Sequence, residues 1–534
     1  MSGRRETRAE AVRARLRDGA EIALIDLREE GPFSRAHPLF AVNIPLGRIE
    51  LMAPVLLPNR AAPVVLYGED DPVEGTDLAG RALSVFARLG YSEVSVLEGG
   101  LEGWRTSGGE LFRDVHVPGK AFGELVEARA RTPSLPAEAL RARLDGGDDL
   151  VVLDARRFEE YRTMTIPGSR SVPGGELALR ARDAAPDPRT TVVVNCAGRT
   201  RSIIGAQSLR NAGIPNPVFA LRNGTIGWTL AGLELEHEAD RTAPAASGPH
   251  LEAARARAAA LAERTGVQRI DAAGLAALDD GTRTLFRLDV RQPEEYRAAH
   301  PAGFANAPGG QLVQATDEWV GVRHATLVLF DDDGVRANMA AHWLRQLGWR
   351  QVYVLEGWHG LAREEGDAPA QVVAPAWQAE PIDPAALARL LDHDGALVID
   401  VTRSVAFRTG HIPGALFCTR AALPVAALAR EERTIVLTCG TGALARHAAS
   451  DLIAAGIPAR LLQGGTAAWR KAGFPVSGGL SAEDALSSTD DTYKRPYEGT
   501  DNAHDAMQAY LDWEYGLVAQ LERDGTHGFF VLEA

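Results

Sequence analysis

The sequence predicts an α/β protein built from four rhythmically repeated units, each a small parallel β-sheet flanked by helices. Three observations predict it. The triplets IDL, LDA, LDV and IDV put an aspartate at the end of an apolar strand four times, at Asp26, Asp154, Asp289 and Asp400. A second apolar strand follows each at nearly constant distance: VVLYG, VVVNC, LVLFD and IVLTC. Asp26 to Gly68, Asp154 to Cys196 and Asp289 to Asp331 are each 42 residues, and Asp400 to Cys439 is 39. The strands are continuous apolar runs instead of alternating ones, which marks strands covered on both faces and hence a parallel sheet wrapped by helices. A repeat of this kind decides the architecture before any site is read.

Within each unit the second strand ends at a polar elbow and leads into an Ala/Leu-rich helical stretch. A glycine-containing break, a short strand and a Gly-rich turn follow. The turns are LEGGLEGW (97–104), LRNGTIGW (221–228), LEGW (355–358) and LQGGTAAW (462–469). The expected boundaries are unit 1 at 1–118, unit 2 at 119–245, unit 3 at 246–373, unit 4 at 374–480 and a C-terminal extension at 481–534. The joins are read as GKAFGELVEARARTPSLP (119–136), ADRTAPAASGPH (239–250) and APAWQAEPIDP (374–384). The second is the most linker-like, so the chain is expected to divide there into two pairs, each burying its own inter-unit surface.

A chain of 534 residues suits several domains. The net charge is −14 with basic residues scattered, which disfavours a nucleic-acid partner. The apolar runs fall far short of the ~20 residues that span a bilayer, so no membrane association is expected. The charged N-terminal stretch reads as no signal peptide. Three cysteines exclude a disulfide framework and suit a reducing cytoplasm.

In parallel sheets ligands sit just past the carboxyl ends of strands, where Gly68, Cys196, Asp331 and Cys439 fall. In CAGRTRS (196–202) a thiol stands before a helix N-terminus, whose N–H groups and dipole favour an anion. Arg199 and Arg201 add positive charge. The expectation is a thiolate with its pKa lowered from the free value of about 8.5, facing an anion pocket. Arg201, last in the loop, is expected to point at the anion, with Arg199 further out. CGTGALA (439–445) has glycines for tight curvature and a following helix but no arginine inside the loop. Cys418, in GALFCTR, has no anion-binding context and reads as structural.

These motifs, with HIPGAL (411–416) and QGGTAAW, resemble those of rhodanese-family sulfurtransferases, here in four tandem units covering about nine-tenths of the chain. The resemblance implies catalysis through a cysteine persulfide. A thiolate, Cys196 or Cys439, takes the outer sulfur of thiosulfate, or of a donor such as 3-mercaptopyruvate, and passes it to cyanide, a thiol or a protein acceptor. Ala197, Gly198, Arg199, Thr200 and Arg201 would bind the donor at one site, and Gly440, Thr441, Gly442, Ala443 and Leu444 at the other. No cofactor or metal is implied. Units 1 and 3 are expected to be inactive partners of units 2 and 4.

The sequence also departs from the family pattern. CAGR has glycine third where CGTG has it fourth, unit 2 has TIPGS (165–169), and unit 3 has AHPAGFA (299–305). The acidic runs DDDGVRA (331–337) and GEDDPVEG (68–75) read as solvated turns, not metal sites. His300, His411 and His447 show no zinc-ligand spacing, and His411 reads as structural. Cysteine phosphatases on a similar fold need Cys-x5-Arg; four residues separate Cys196 from Arg201 and six separate Cys439 from Arg446, so neither loop fits. A non-catalytic or weakly catalytic sulfur-carrier or sensing scaffold is the alternative.

Overall fold

The computed structural model describes residues 5–68, 77–369 and 371–532. Most of GEDDPVEG therefore lies outside the described residues. The chain forms four five-stranded parallel sheets. Counted from each unit's own first sheet strand, all four share the order 1-5-4-2-3. The strands that end at the elbows are β1 (Val64–Tyr67), β2 (Thr191–Asn195), β3 (Thr326–Phe330) and β4 (Thr434–Thr438). Each occupies the middle of its sheet between strands two and five. That central place explains the continuous apolar runs, since β1, β2 and β3 are buried at every residue.

The repeated aspartate is a folding device. Asp26, Asp154 and Asp289 are fully buried, and each carboxylate is held by the arginine two residues on, at 2.6, 2.7 and 2.6 Å from Arg28, Arg156 and Arg291. The same guanidinium then donates to a carbonyl eight residues further along, that of Ala36, Met164 or Ala299. Each arginine thereby ties a strand end to the next turn. Unit 4 has Thr402 in place of the arginine. Its Asp400 accepts from the Thr402 amide at 2.9 Å and the Thr466 hydroxyl at 3.3 Å, and burial raises the carboxyl to about 6.

Five helices position the sites: α1 (Val117–Ala130), α2 (Thr200–Asn211), α3 (Arg336–Gln346), α4 (Ala445–Ala454) and α5 (His504–Tyr515). The join expected at 119–136 is in large part α1, whose first ten residues are almost all buried. Its Lys120 pairs with Asp114 at 2.7 Å and lies under Tyr497, Tyr510 and Trp513 of the C-terminal extension. The joins at 239–250 and 374–384 are largely irregular and exposed.

The expected division into two self-contained pairs is not what the units form. One continuous apolar core joins Leu24, Val64 and Phe122 to Phe286, Leu327 and Trp343, so it crosses the middle of the chain. The Gly321 amide donates to the Leu56 carbonyl at 3.0 Å, and Ile22 bridges to Arg323. Unit 3 also grips unit 2 through Arg336 and Glu176 at 3.0 Å, both buried. Unit 4 docks on unit 1 through Arg420 and Glu50 at 2.6 Å. The segment 239–250 looks like a linker because it is exposed, but exposure of one strand of chain says nothing about contacts made elsewhere.

Candidate functional site

At Cys439, β4 delivers the thiol to a loop that α4 closes. Gly442 adopts φ +87°, a conformation that glycine reaches at no steric cost. The Gly-rich turn after the fifth strand supports the loop from behind. Thr466 and Ala467 donate to the carbonyls of Cys439 and Gly440, both at 2.9 Å. A Cβ at Gly465 would come within 2.1 Å of the Cys439 carbonyl and 2.6 Å of the Gly442 amide, so only glycine fits. Thr225 and Ile226 buttress Cys196 and Ala197 in the same way, with Gly224 at closest approach. Sequence reading saw these turns as punctuation and missed that they shape the cysteine loops. The recurring NGT and GGT were the available signal.

The two loops differ in access. Residues 196–200 are all buried. A Cβ on Gly198 would meet Tyr510 at 3.2 Å and the Glu514 carboxylate at 3.3 Å, so α5 lies directly over the loop. Gly440 and Thr441 are exposed, and a Cβ on Gly440 would meet nothing within 4 Å. Gly442 and Leu444 turn inward and Ala443 is half-buried.

The expected thiolate at Cys196 is not supported. Burial pushes its thiol up from the ordinary value, outweighing the opposing pull of Arg201 and of hydrogen bonding with Ser202, while Glu514 adds to the rise. Nor does either arginine face an anion. Arg201 makes a bidentate pair with Glu160 at 2.8 and 2.9 Å. Arg199 is held by Glu124 at 2.7 and 2.8 Å and by Glu127, and stacks 4.0 Å from the ring centre of Tyr515. Thr200 approaches Glu514 at 3.5 Å. The neighbouring carboxylates were invisible locally because Glu124, Glu160 and Glu514 come from three different segments.

Unit 3 explains the arginine. Arg336 stands five residues after Asp331, as Arg201 stands five after Cys196, and it pairs with Glu295 as Arg201 pairs with Glu160. The same ion pair thus recurs in a loop without cysteine. Asp331 is no solvated turn: it is 5% exposed, and its carboxylate accepts from the amides of Gly334 at 2.9 Å and Ala337 at 2.8 Å. The side chain thus fills its own amide cradle. Burial and the charge of Asp333 raise it to about 7.

Cys418 is fully buried, bonds its thiol to the Thr419 carbonyl at 3.3 Å, and burial pushes it up to about 11. His411 bonds through Nδ1 to the Phe407 carbonyl at 2.9 Å and stacks on the Phe407 ring. Tyr296–His300 repeats that stack.

Four successive matches to the rhodanese-like domain model cover residues 8–107, 136–231, 272–361 and 383–472. The chain belongs to the rhodanese family, as four tandem units. Over 99% of its length it superposes on the whole of a thiosulfate sulfurtransferase from Pseudomonas aeruginosa, with 54% identity and a TM-score of 0.95. Curated relatives include a thiosulfate sulfurtransferase of Azotobacter vinelandii, 29% identical over 180 residues, 30% of this chain and 64% of that one. Another is the putative sulfur carrier protein YrkF of Bacillus subtilis (strain 168), 26% identical over 137 residues, 24% of this chain and 72% of that one. Among the described residues no helix is long and apolar enough to cross a membrane.

Proposed function

We propose that the protein transfers sulfane sulfur from thiosulfate, or a related donor such as 3-mercaptopyruvate, to a thiophilic acceptor through a persulfide on Cys439. The observation that carries this reading is the open Cys439 loop, a thiol at a strand end with exposed Gly440 and Thr441 above a helix N-terminus. The amides of Gly440 to Leu444 suit an anion, since the first turn of a helix leaves its N–H groups unpaired. In the first step the Cys439 thiolate attacks the outer sulfur of thiosulfate, the S–S bond breaks, and sulfite leaves with the electron pair. In the second, cyanide or a thiolate attacks the terminal sulfur of the persulfide and the cysteine thiolate is released.

Cys196 has the same loop but is covered by α5, so it is assigned no turnover in this conformation. Units 1 and 3, with boundaries at 1–118 and 246–373, act as partners without a thiol of their own. All three cysteines are free, which suits the cytoplasm as the place of action.

Thiocyanate formation from thiosulfate and cyanide tests the assignment. Cys439→Ser is expected to abolish it, and Cys196→Ser to retain most of it. After thiosulfate treatment the Cys439 peptide should gain the mass of one sulfur. Loss of activity in Cys196→Ser with full activity in Cys439→Ser would reverse the assignment.

A further inference from the structure

We propose that unit 1, which offers no cysteine at its elbow, supplies the donor-binding cation of the Cys439 site: Arg48, with Arg403 beside it, receives the anionic end of the sulfur donor. This rests on the persulfide reading of Cys439.

The Cys439 loop has no cation of its own. Leu444 occupies the place that Arg201 and Arg336 hold in units 2 and 3. Unit 1 is clamped to unit 4 on both sides of Arg48. The Gly47 carbonyl accepts from Arg420 at 3.1 Å, and the buried Glu50 carboxylate accepts from Arg420 at 2.6 and 3.0 Å. Leu51 packs against the apolar cluster that contains Cys439. Arg48, at the end of a 3-10 turn, is half-buried and within coulombic reach of Arg403, Glu29, Asp491 and the Cys439 thiol.

Asp491 and Arg403 each have a partner of their own. The Asp491 carboxylate accepts from the Ser404 amide at 2.8 Å, and Arg403 pairs with Glu30 at 3.3 Å. Glu29 is raised to about 7, chiefly by burial, and so carries only part of a charge near neutral pH. Among the described residues the Arg48 guanidinium makes no hydrogen bond or ion pair. The half-buried guanidinium keeps its N–H donors within reach of solvent and of an incoming ligand, and its planar geometry matches a carboxylate or a sulfur oxyanion. The chemical class is a small anion whose charge lies away from the transferred sulfur. Thiosulfate and mercaptopyruvate share this feature.

The test uses the full chain and peptide-resolved mass spectrometry of Cys439. Iodoacetate is anionic and iodoacetamide neutral, and both alkylate the same thiol. In the wild type the iodoacetate-to-iodoacetamide rate ratio should exceed that of free cysteine. Arg48→Gln should lower the ratio about tenfold, and Arg48→Lys should retain most of it. KM for thiosulfate should rise about ten- to hundredfold in Arg48→Gln, the worth of one charge-assisted hydrogen bond, with a smaller change in kcat. Running 3-mercaptopyruvate in parallel shows which donor loses more. A wild-type ratio no higher than that of free cysteine overturns the proposal without any variant, as does an unchanged ratio in folded Arg48→Gln. A ratio that falls in a protein that never takes up sulfur would instead refute the persulfide reading and leave the anion site standing.

Discussion

The cover over Cys196 makes a quantitative prediction. Glu514 is completely buried, and one carboxylate oxygen has no hydrogen-bond partner. Its other oxygen accepts from the Tyr510 hydroxyl at 2.9 Å. Burial and the nearby Glu124 raise the carboxyl to about 8, against the pull of Lys120 and the Tyr510 bond. If α5 lifts, Glu514 returns to its ordinary value near 4.5. The folded value is the higher one, so this group's contribution to closure is complete below about 4.5. It declines as pH rises and is gone once pH has passed about 8. Between those limits the closed state binds one more proton than the open state. Closure therefore weakens by about 1.4 kcal/mol per pH unit, a tenfold rise in opening for each unit. Glu514→Gln keeps an acceptor for Tyr510 but cannot titrate. The measurement is the iodoacetamide rate at Cys196 in the native protein, wild type divided by Glu514→Gln, which cancels the thiol's own titration. The ratio should rise about tenfold per unit from pH 5.5 to 7.5 and level off above 8. A ratio that stays flat with pH would show that Glu514 does not govern access to Cys196.

Two further outcomes follow from the ion pairs and the shared core. Arg201→Ala should act on stability more than on donor KM. Burial would raise Glu160, but Arg201, aided by Arg156 and Arg157, holds it at about 2; Glu160 is partly exposed and keeps Arg157 at 3.3 Å, so losing the Arg201 pair should cost about 1–3 kcal/mol. Urea unfolding, read beside thiosulfate kinetics, checks it, and an intact midpoint with a raised KM would return Arg201 to the donor site. Residues 1–245 and 250–534 expressed separately should be insoluble or molten, because the cut divides the core joining Phe122 to Trp343 and takes Arg420 from Glu50 and Arg336 from Glu176. Two well-folded halves in gel filtration and circular dichroism would contradict this.

Much of the fold was legible because its signals are local. An apolar run of a few residues that stops at aspartate, followed by a second apolar run whose elbow lies 39 or 42 residues on, requires only that the same pair of strands be buried four times. The elbows were legible for the same reason, since a parallel strand must deliver its last residue to the ligand side of the sheet. Cys196, Asp331 and Cys439 all stand where that reasoning puts them. Cys418 and His411 were also readable, each from the absence of a site around it.

What the sequence determined by itself was therefore the repeat, the parallel sheets and the elbow on which each thiol or carboxylate stands. Tertiary structure alone decided which elbow is open. CAGRTRS displays two arginines next to a thiol, but a side chain's charge is available only if nothing else claims it, and Glu124, Glu127 and Glu160 claim both. CGTGALA shows no arginine, yet Arg48, some 390 residues away in the chain, lies within coulombic reach of its thiol. Burial and coulombic interaction depend on distance in space, and the packing of unit 4 on unit 1 and of α5 on unit 2 sets those distances. No window of sequence contains both partners, so neither could be read from the motif.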